Sequence, residues 1–225
     1  MRIHDNKPKI YIAVPTYSGK PWYKNSISIL QSILGIQALG WECRLDYLPG
    51  DCMIHSVRNK FVAEFMSSDC THLFFIDDDV AFDPVGLIKL VKADRDVVTG
   101  FVPIRQGGTF TGDVGPGRDG DLIELYTTSA AFLCIKKNAI RQMFEKYPEL
   151  KCKSYNSYGR NGYSLFDYQH TPETMKGEDI TFCKRWLTIG KIWGMPGIKF
   201  EHLGEQVFEG SYDPALLKFG MGKCA

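Results

Sequence analysis

Apolar and polar positions along the 225-residue chain follow two alternating rhythms. KIYIAV (9–14) is a β-rich run that is expected to break at Pro15 into the loop PTYSGKP. Helical spacing then places Ile27, Leu30, Leu34 and Leu39 on one face, with Gly40 as the stop. ECRLDYL (42–48) predicts a second strand closed by PGD, after which Asp51 is expected to cap a helix carrying Ile54, Val57, Phe61 and Phe65. HLFFI (72–76) lacks polar alternation, which predicts a central strand buried on both faces. Asp83-Pro84 predicts another helix start, running through LIKLVK, and DVVTGF (96–101) a fourth strand. Strands and helices alternating with short connections predict an α/β fold, a mostly parallel sheet with right-handed crossovers.

From residue 103 the rhythm changes. PIRQGGTFTGDVGPGRDGD is rich in glycine and reads as a loop or loose hairpin. LIELYTTSAAFLCI predicts paired strands, and KKNAIRQMFEKY a further helix. Residues 151–176 are polar, tyrosine-rich and broken by glycine, the pattern of a functional loop. No internal repeat or linker divides the chain, so residues 1–225 are expected to form one domain.

Composition narrows the classes of function. The chain is 44% hydrophobic and 24% charged with a formal net charge of +1, as in an ordinary globular protein. No run of Lys and Arg supports nucleic-acid binding, and no stretch approaches the ~20 apolar residues of a membrane span. The N-terminal residues lack a secretory apolar run. The seven cysteines include no CxxC pair and sit partly in apolar patterns, so free thiols and a cytoplasmic location are expected.

Three consecutive acids, Asp77, Asp78 and Asp79, follow the predicted central strand. In open parallel sheets ligands bind beyond the carboxyl ends of strands. Extended backbone would turn Asp77 and Asp79 one way and Asp78 the other, which suits a hard divalent ion shared with phosphate oxygens. Their alternative reading is a solvated strand end. GEDITFCKRW (177–186) places Glu178 and Asp179 in the first turn of a helix with Ile180, Cys183, Trp186 and Leu187 on one face. There they either complement the helix dipole or supply a general base whose pKa the dipole depresses. His202 ends the apolar run IKF; it is a metal ligand or an ordinary hydrogen-bonded histidine.

Taken in order, these segments resemble the GT-A nucleotide-sugar glycosyltransferases, in particular inverting family 2 enzymes and their small viral and phage relatives. The matching stretches are IAVPTYSG, SVRNKFV, FFIDDDV, TTSAAFLCIKKNAI, GEDITFCKRW and EHLG. The resemblance implies a Rossmann-like GT-A fold, with residues 1–102 as the nucleotide-binding half and 103–225 as the acceptor side, including a smaller antiparallel part. It implies that Mn²⁺ or Mg²⁺ is held by Asp79 and His202, with Asp77 at the ribose or the metal's water. Pro15, Thr16 and Tyr17 would hold the nucleoside, and Arg58 a phosphate or base edge; Asp78 belongs to the same donor set. Ser129 and Ala130 would line the sugar pocket. Asp179 would be the base, with Glu178 in reserve, acting on a glycan or other hydroxyl acceptor, and the donor would be a UDP- or GDP-sugar. Tyr155, Tyr158, Tyr163 and Tyr168 offer faces for an acceptor, while Arg160 and His170 have no assigned role. A retaining glycosyltransferase, a nucleotidyltransferase using Lys20, and a non-catalytic binding module of the same fold remain as alternatives.

Overall fold

Strand β1 (Lys9–Thr16) lies between β2 (Glu42–Pro49) and β3 (His72–Ile76), parallel to both. Helices α1 (Tyr23–Ala38) and α2 (Ile54–Ser67) make the two connections. The computed structural model describes residues 7–105, 108–152, 162–172, 174–204 and 207–213. After β3 come a short strand β4 (Val80–Phe82), helix α3 (Val85–Lys92) and β5 (Val97–Gly100). The next elements are β6 (Val114–Asp119), β7 (Leu122–Leu125), β8 (Phe132–Lys136) and α4 (Lys137–Lys146). Two small hairpins follow, β9 (Lys151–Cys152) with β10 (Gly162–Tyr163), and β11 (Gln169–Thr171) with β12 (Thr174–Lys176). Helix α5 (Glu178–Trp186) leads to β13 (Ile192–Met195), β14 (Lys199–His202) and β15 (Phe208–Ser211).

The main sheet has eight strands in the order β2-β1-β3-β8-β5-β13-β7-β6. The pairings run β7 and β8 against the other six, so the sheet is mixed but mostly of one direction. A separate three-stranded antiparallel sheet, β15-β14-β4, and the two hairpins supply the antiparallel part. β3 is central and wholly buried, as its unbroken apolar run predicts. Leu73 and Phe75 enter the core beneath α2, α4 and α5, whereas Phe74 and Ile76 enter the core beneath α1 and α3. Each fully buried phenylalanine contributes about 1.5–3 kcal/mol of transfer free energy.

Three local expectations are corrected. β1 does not break at Pro15 but continues to Thr16, because pairing with β3 ends at Ala13 and only β2 is bonded beyond it. There the missing N–H of proline costs little, as on an edge strand. β7 and β8 do not pair with one another. The apolar β8 fills the interior gap between β3 and β5, while β7 joins β6 and β13.

The largest correction concerns α1. Its predicted apolar face is outside: Ile27, Leu30 and Leu34 are about half exposed or more. The buried face carries Asn25, Ser28, Ile29, Ser32 and Ile36. Asn25 and Ser28 on that face hydrogen-bond to backbone of the strand-end region. Asn25 Nδ2 donates to the carbonyls of Asp77 (2.9 Å) and Val80 (2.8 Å), and Ser28 Oγ accepts the Phe82 N–H at 3.1 Å. Hydrogen bonding to the loop after β3 overrides the hydrophobic pattern, since those carbonyls would otherwise be buried without partners.

Candidate functional site

The three acids leave the carboxyl end of β3 in three directions. Asp77 Oδ1 accepts a 3.0 Å hydrogen bond from Arg58 on α2. Asp78 lies beside the buried Thr16 hydroxyl, which favours its ionised form without meeting full hydrogen-bond geometry. Asp79 faces His202 and Arg105, with Oδ2 3.6 Å from His202 Nε2 and ion-paired to the Arg105 guanidinium. Burial raises the pKa of Asp77 above the ordinary carboxylate value, although Arg58 opposes the shift; burial raises that of Asp78 as well.

β4 brings Asp79 and His202 together. Its pairing with β14 sets His202 opposite Val80, and the Leu203 N–H donates to the Asp79 carbonyl at 2.7 Å. Packing of Phe200 on the main sheet depends on Gly100, where an added Cβ would stand 2.4 Å from the phenyl ring.

A cavity of about 210 Å³ opens over these acids, lined by Pro15, Thr16, Tyr17, Asp51, Cys52, Ile54 and Asp77 to Asp79. Tyr17 is 70% exposed, so its ring face is free for a flat ligand. Asp51 stays at the rim, where it accepts the Met53 N–H and pairs with Lys60. A larger groove of about 740 Å³ lies between α1 and the three-stranded sheet, bordered by Ile27, Phe82 and Phe200. We place the functional site at the smaller cavity, because all three strand-end aspartates line it.

The second acidic pair approaches from α5. Glu178 is buried, and its Oε1 accepts from Arg58 Nε at 3.1 Å. The third direction of the Arg58 fork is spent on the Ala130 carbonyl at 3.2 Å. Arg58 is therefore neither a solvated charge nor free to meet a phosphate; its side chain is 4% exposed and every arm is occupied by protein. Ala130 is buried and offers its carbonyl to Arg58 rather than its methyl to a sugar, while Ser129 is half-buried beside it.

Asp179 makes no ion pair among the described residues; its Oδ1 accepts the Ile180 N–H at 2.7 Å. Burial, and then the Glu178 charge, raises its pKa above the ordinary carboxylate value. The expected depression by the helix terminus does not dominate, since one backbone N–H is outweighed by desolvation and a like charge. The resulting carboxylate is a better proton acceptor than a surface aspartate.

Fit to a divalent ion rests on His202. Its Nδ1 donates to the Pro103 carbonyl at 2.8 Å, so Nε2 is the nitrogen that faces Asp79. That carboxylate raises the His202 pKa and favours a proton on Nε2, which a metal ion would replace. The bond from Nδ1 to a carbonyl is the usual outer-shell arrangement of a metal-ligating histidine. Among the described residues no group of three or more His, Cys, Asp or Glu is arranged to hold a metal. Asp79 and His202 fit an ion that completes its shell with water and phosphate oxygens; Asp77 is drawn back to Arg58.

Among the aromatic residues of the 151–176 segment, Tyr163 stacks on Phe144 at 3.7 Å between ring centroids and is committed to packing. Tyr168 is 46% exposed, rests its edge on His55, and feels the charges of Glu178 and Asp179. Exposed His170 lies on β11 without a role in the site, and Tyr155, Tyr158 and Arg160 fall outside the described residues. Sequence reasoning missed Arg105, in a glycine-rich loop, and Asn25, whose only sequence signal is a polar residue within a helix. It also missed Asn59, whose side chain binds both the N–H and the carbonyl of Phe166 and so anchors the loop leading to Tyr168.

The fold and site define an α/β protein whose sheet edge carries two acidic clusters bridged by Arg58, the first of them lining a cavity of about 210 Å³. No protein-family model matches the chain, and no curated protein does. Among solved structures it is similar to A197 from STIV, with 12% identity, a TM-score of 0.55 and coverage of 91% of this chain and 95% of that one. It is also similar to S. aureus TarS 1-349 in complex with UDP, at 13% identity and a TM-score of 0.45, over 89% of this chain and 59% of that one. A third likeness is to a glycosyltransferase involved in the glycosylation of the major capsid of PBCV-1, at 13% identity and a TM-score of 0.37, over 63% and 68% of the two chains. The first likeness establishes a shared fold; the other two are too loose to establish even that. Among the described residues no helix is long and apolar enough to cross a membrane.

Proposed function

We propose that this chain is a metal-dependent GT-A glycosyltransferase that moves a sugar from a nucleoside-diphosphate sugar to an acceptor hydroxyl with inversion. One observation carries the reading: Arg58 ties Asp77, which leaves the same strand end as the Asp79–His202 pair, to Glu178, whose neighbour Asp179 makes no ion pair among the described residues. Tyr17 and Thr16 border the nucleoside, and Asp77 presents its remaining oxygen toward the ribose. Asp79 and His202 would hold Mn²⁺ or Mg²⁺, which neutralises charge on the leaving diphosphate. Asp179 takes the acceptor's hydroxyl proton as that oxygen bonds to the anomeric carbon. The bond from that carbon to the diphosphate oxygen breaks on the opposite side, and its electron pair leaves with the nucleotide. Tyr168 offers the acceptor a flat face next to the base.

The test is a thermal-shift panel of UDP, GDP, CDP, TDP and ADP, each with Mn²⁺ and with EDTA. A nucleotide at a hundredfold excess over its Kd stabilises by about 2.7 kcal/mol. The expected result is a rise for one nucleotide, lost in EDTA. Absence of any rise would defeat the donor-site assignment. The Arg105–Asp79 ion pair supports a second reading, in which the guanidinium stands in for the metal. A rise that survives EDTA but is lost in Arg105→Gln would establish it.

A further inference from the structure

Arg58 is a buried charge that takes no part in the transfer reaction itself. Its fork reaches three separate parts of the fold: Asp77 at the end of β3, the Ala130 carbonyl just before β8, and Glu178 in the first turn of α5. The guanidinium lies over the ring of Phe75, 5.4 Å from its centroid. A contact made only to join α2 to the sheet would be met as well by apolar side chains, because a buried guanidinium carries a large desolvation cost. What Arg58 meets instead is polar on every arm: carboxylate oxygens of Asp77 and Glu178, from opposite sides of the site, and the Ala130 carbonyl.

Resting on the glycosyltransferase reading, we propose that Arg58 is a positioning residue for sugar transfer. It ties donor-side Asp77 to Glu178, so that Asp179 meets the acceptor at a fixed distance from the anomeric carbon. Holding Glu178 also settles which carboxylate is the base. Glu178 is turned to Arg58 and buried; Asp179, adjacent on the same turn, makes no ion pair among the described residues. A lysine cannot replace the fork, because its ammonium is a single point, whereas the guanidinium meets three acceptors in one plane.

The experiment uses the full chain, with nucleotide release from UDP-glucose or GDP-mannose read with water as the acceptor, which requires no knowledge of the natural one. In that reaction a water proton goes to Asp179, the water oxygen bonds to the anomeric carbon, and the nucleoside diphosphate leaves. Arg58→Lys is expected to bind UDP or GDP with Mn²⁺ within about threefold of the wild type. Its kcat should fall about a hundredfold with KM little changed, the scale of loss that follows a small misplacement of a reacting group. A kcat within about threefold of the wild type overturns the proposal, as does a loss confined to nucleotide affinity, which would make Arg58 a donor ligand.

Glu178→Gln provides a second test if the lysine variant does not fold, since the carboxamide still accepts from Arg58. The groups around Asp179 are Glu178, Arg58, Asp77, Tyr168 and Cys183. Removing the Glu178 charge lowers the Asp179 pKa, so the acid limb of the kcat profile should move to lower pH, with nucleotide release still measurable if Asp179 is the base. Complete loss of activity would make Glu178 the base and overturn the assignment. A wild type that neither binds a nucleoside diphosphate nor releases one defeats the glycosyltransferase reading itself. An active wild type alongside an equally active Arg58→Lys defeats only the positioning role.

Discussion

Two acidic clusters belong to the same sheet edge, and each is answered by an arginine, but the two arginines are opposites. Arg58 is 4% exposed, with Asp77, Glu178 and a backbone carbonyl around it. Arg105 is 48% exposed and, among the described residues, ion-pairs with Asp79. A buried guanidinium cannot exchange partners without stranding two carboxylates, so it fixes geometry. An exposed one is screened by water and readily displaced, so it leaves Asp79 open to an incoming cation. The same residue type acts as a fixed strut on one side of the site and as an exchangeable counterion on the other.

Separating the two clusters by function is the sharpest way to break this comparison. Asp179→Asn should lower transfer by roughly 10²–10⁴-fold, the usual contribution of a positioned base, while nucleotide-dependent stabilisation persists. Asp79→Ala should do the reverse and abolish the Mn²⁺-dependent rise in thermal stability. Nucleotide-release rates and thermal shifts on both variants check the pair.

Stability should separate the arginines. Arg58→Met leaves buried Glu178 and half-buried Asp77 without their cation and should cost about 3–5 kcal/mol in urea unfolding. Arg105→Met should change the same measurement by no more than about 1 kcal/mol. Equal effects would erase the distinction between them.

The frame that aims Asp77 to Asp79 has its own dependence. Asn25→Ala removes both bonds to the Asp77 and Val80 carbonyls and should cost about 1–3 kcal/mol by urea titration, with weaker Mn²⁺-dependent nucleotide binding.

Acid sensitivity follows from Asp179. Its pKa is raised by burial first and the Glu178 charge second, and the base works ionised. Activity should therefore fall about tenfold per pH unit below that pKa, with the acid limb lying above the range of an ordinary carboxylate. A kcat profile measured at saturating donor checks it. The smallest effect is expected on the outer face of α1, where Leu34→Gln should change stability by no more than about 0.5 kcal/mol in the same unfolding assay. A larger loss would show that this face is covered in solution.

Much of the frame was legible in the chain because it depends on local rules. Pattern alone placed β3 at the centre, since five consecutive buried positions need cover on both faces. Asp83 and Pro84 marked the start of α3, and the order of acidic motifs placed both carboxylate pairs at element ends. Neighbouring residues decide such features, through backbone hydrogen bonding, side-chain alternation and the missing N–H of proline.

What tertiary structure alone decided depends on residues far apart in sequence. Arg58 lies 120 positions from Glu178, and only the packing of α2 against α5 shows that it is a buried strut. His202 meets Asp79 through β4, three residues too short to carry a readable pattern. α1 turned its leucines outward because the carbonyls of Asp77 and Val80 needed Asn25, a demand set by the loop after β3 and invisible within the helix. The pKa of Asp179 rose because the surrounding fold removes water from it, and desolvation is a property of the assembled site rather than of any segment.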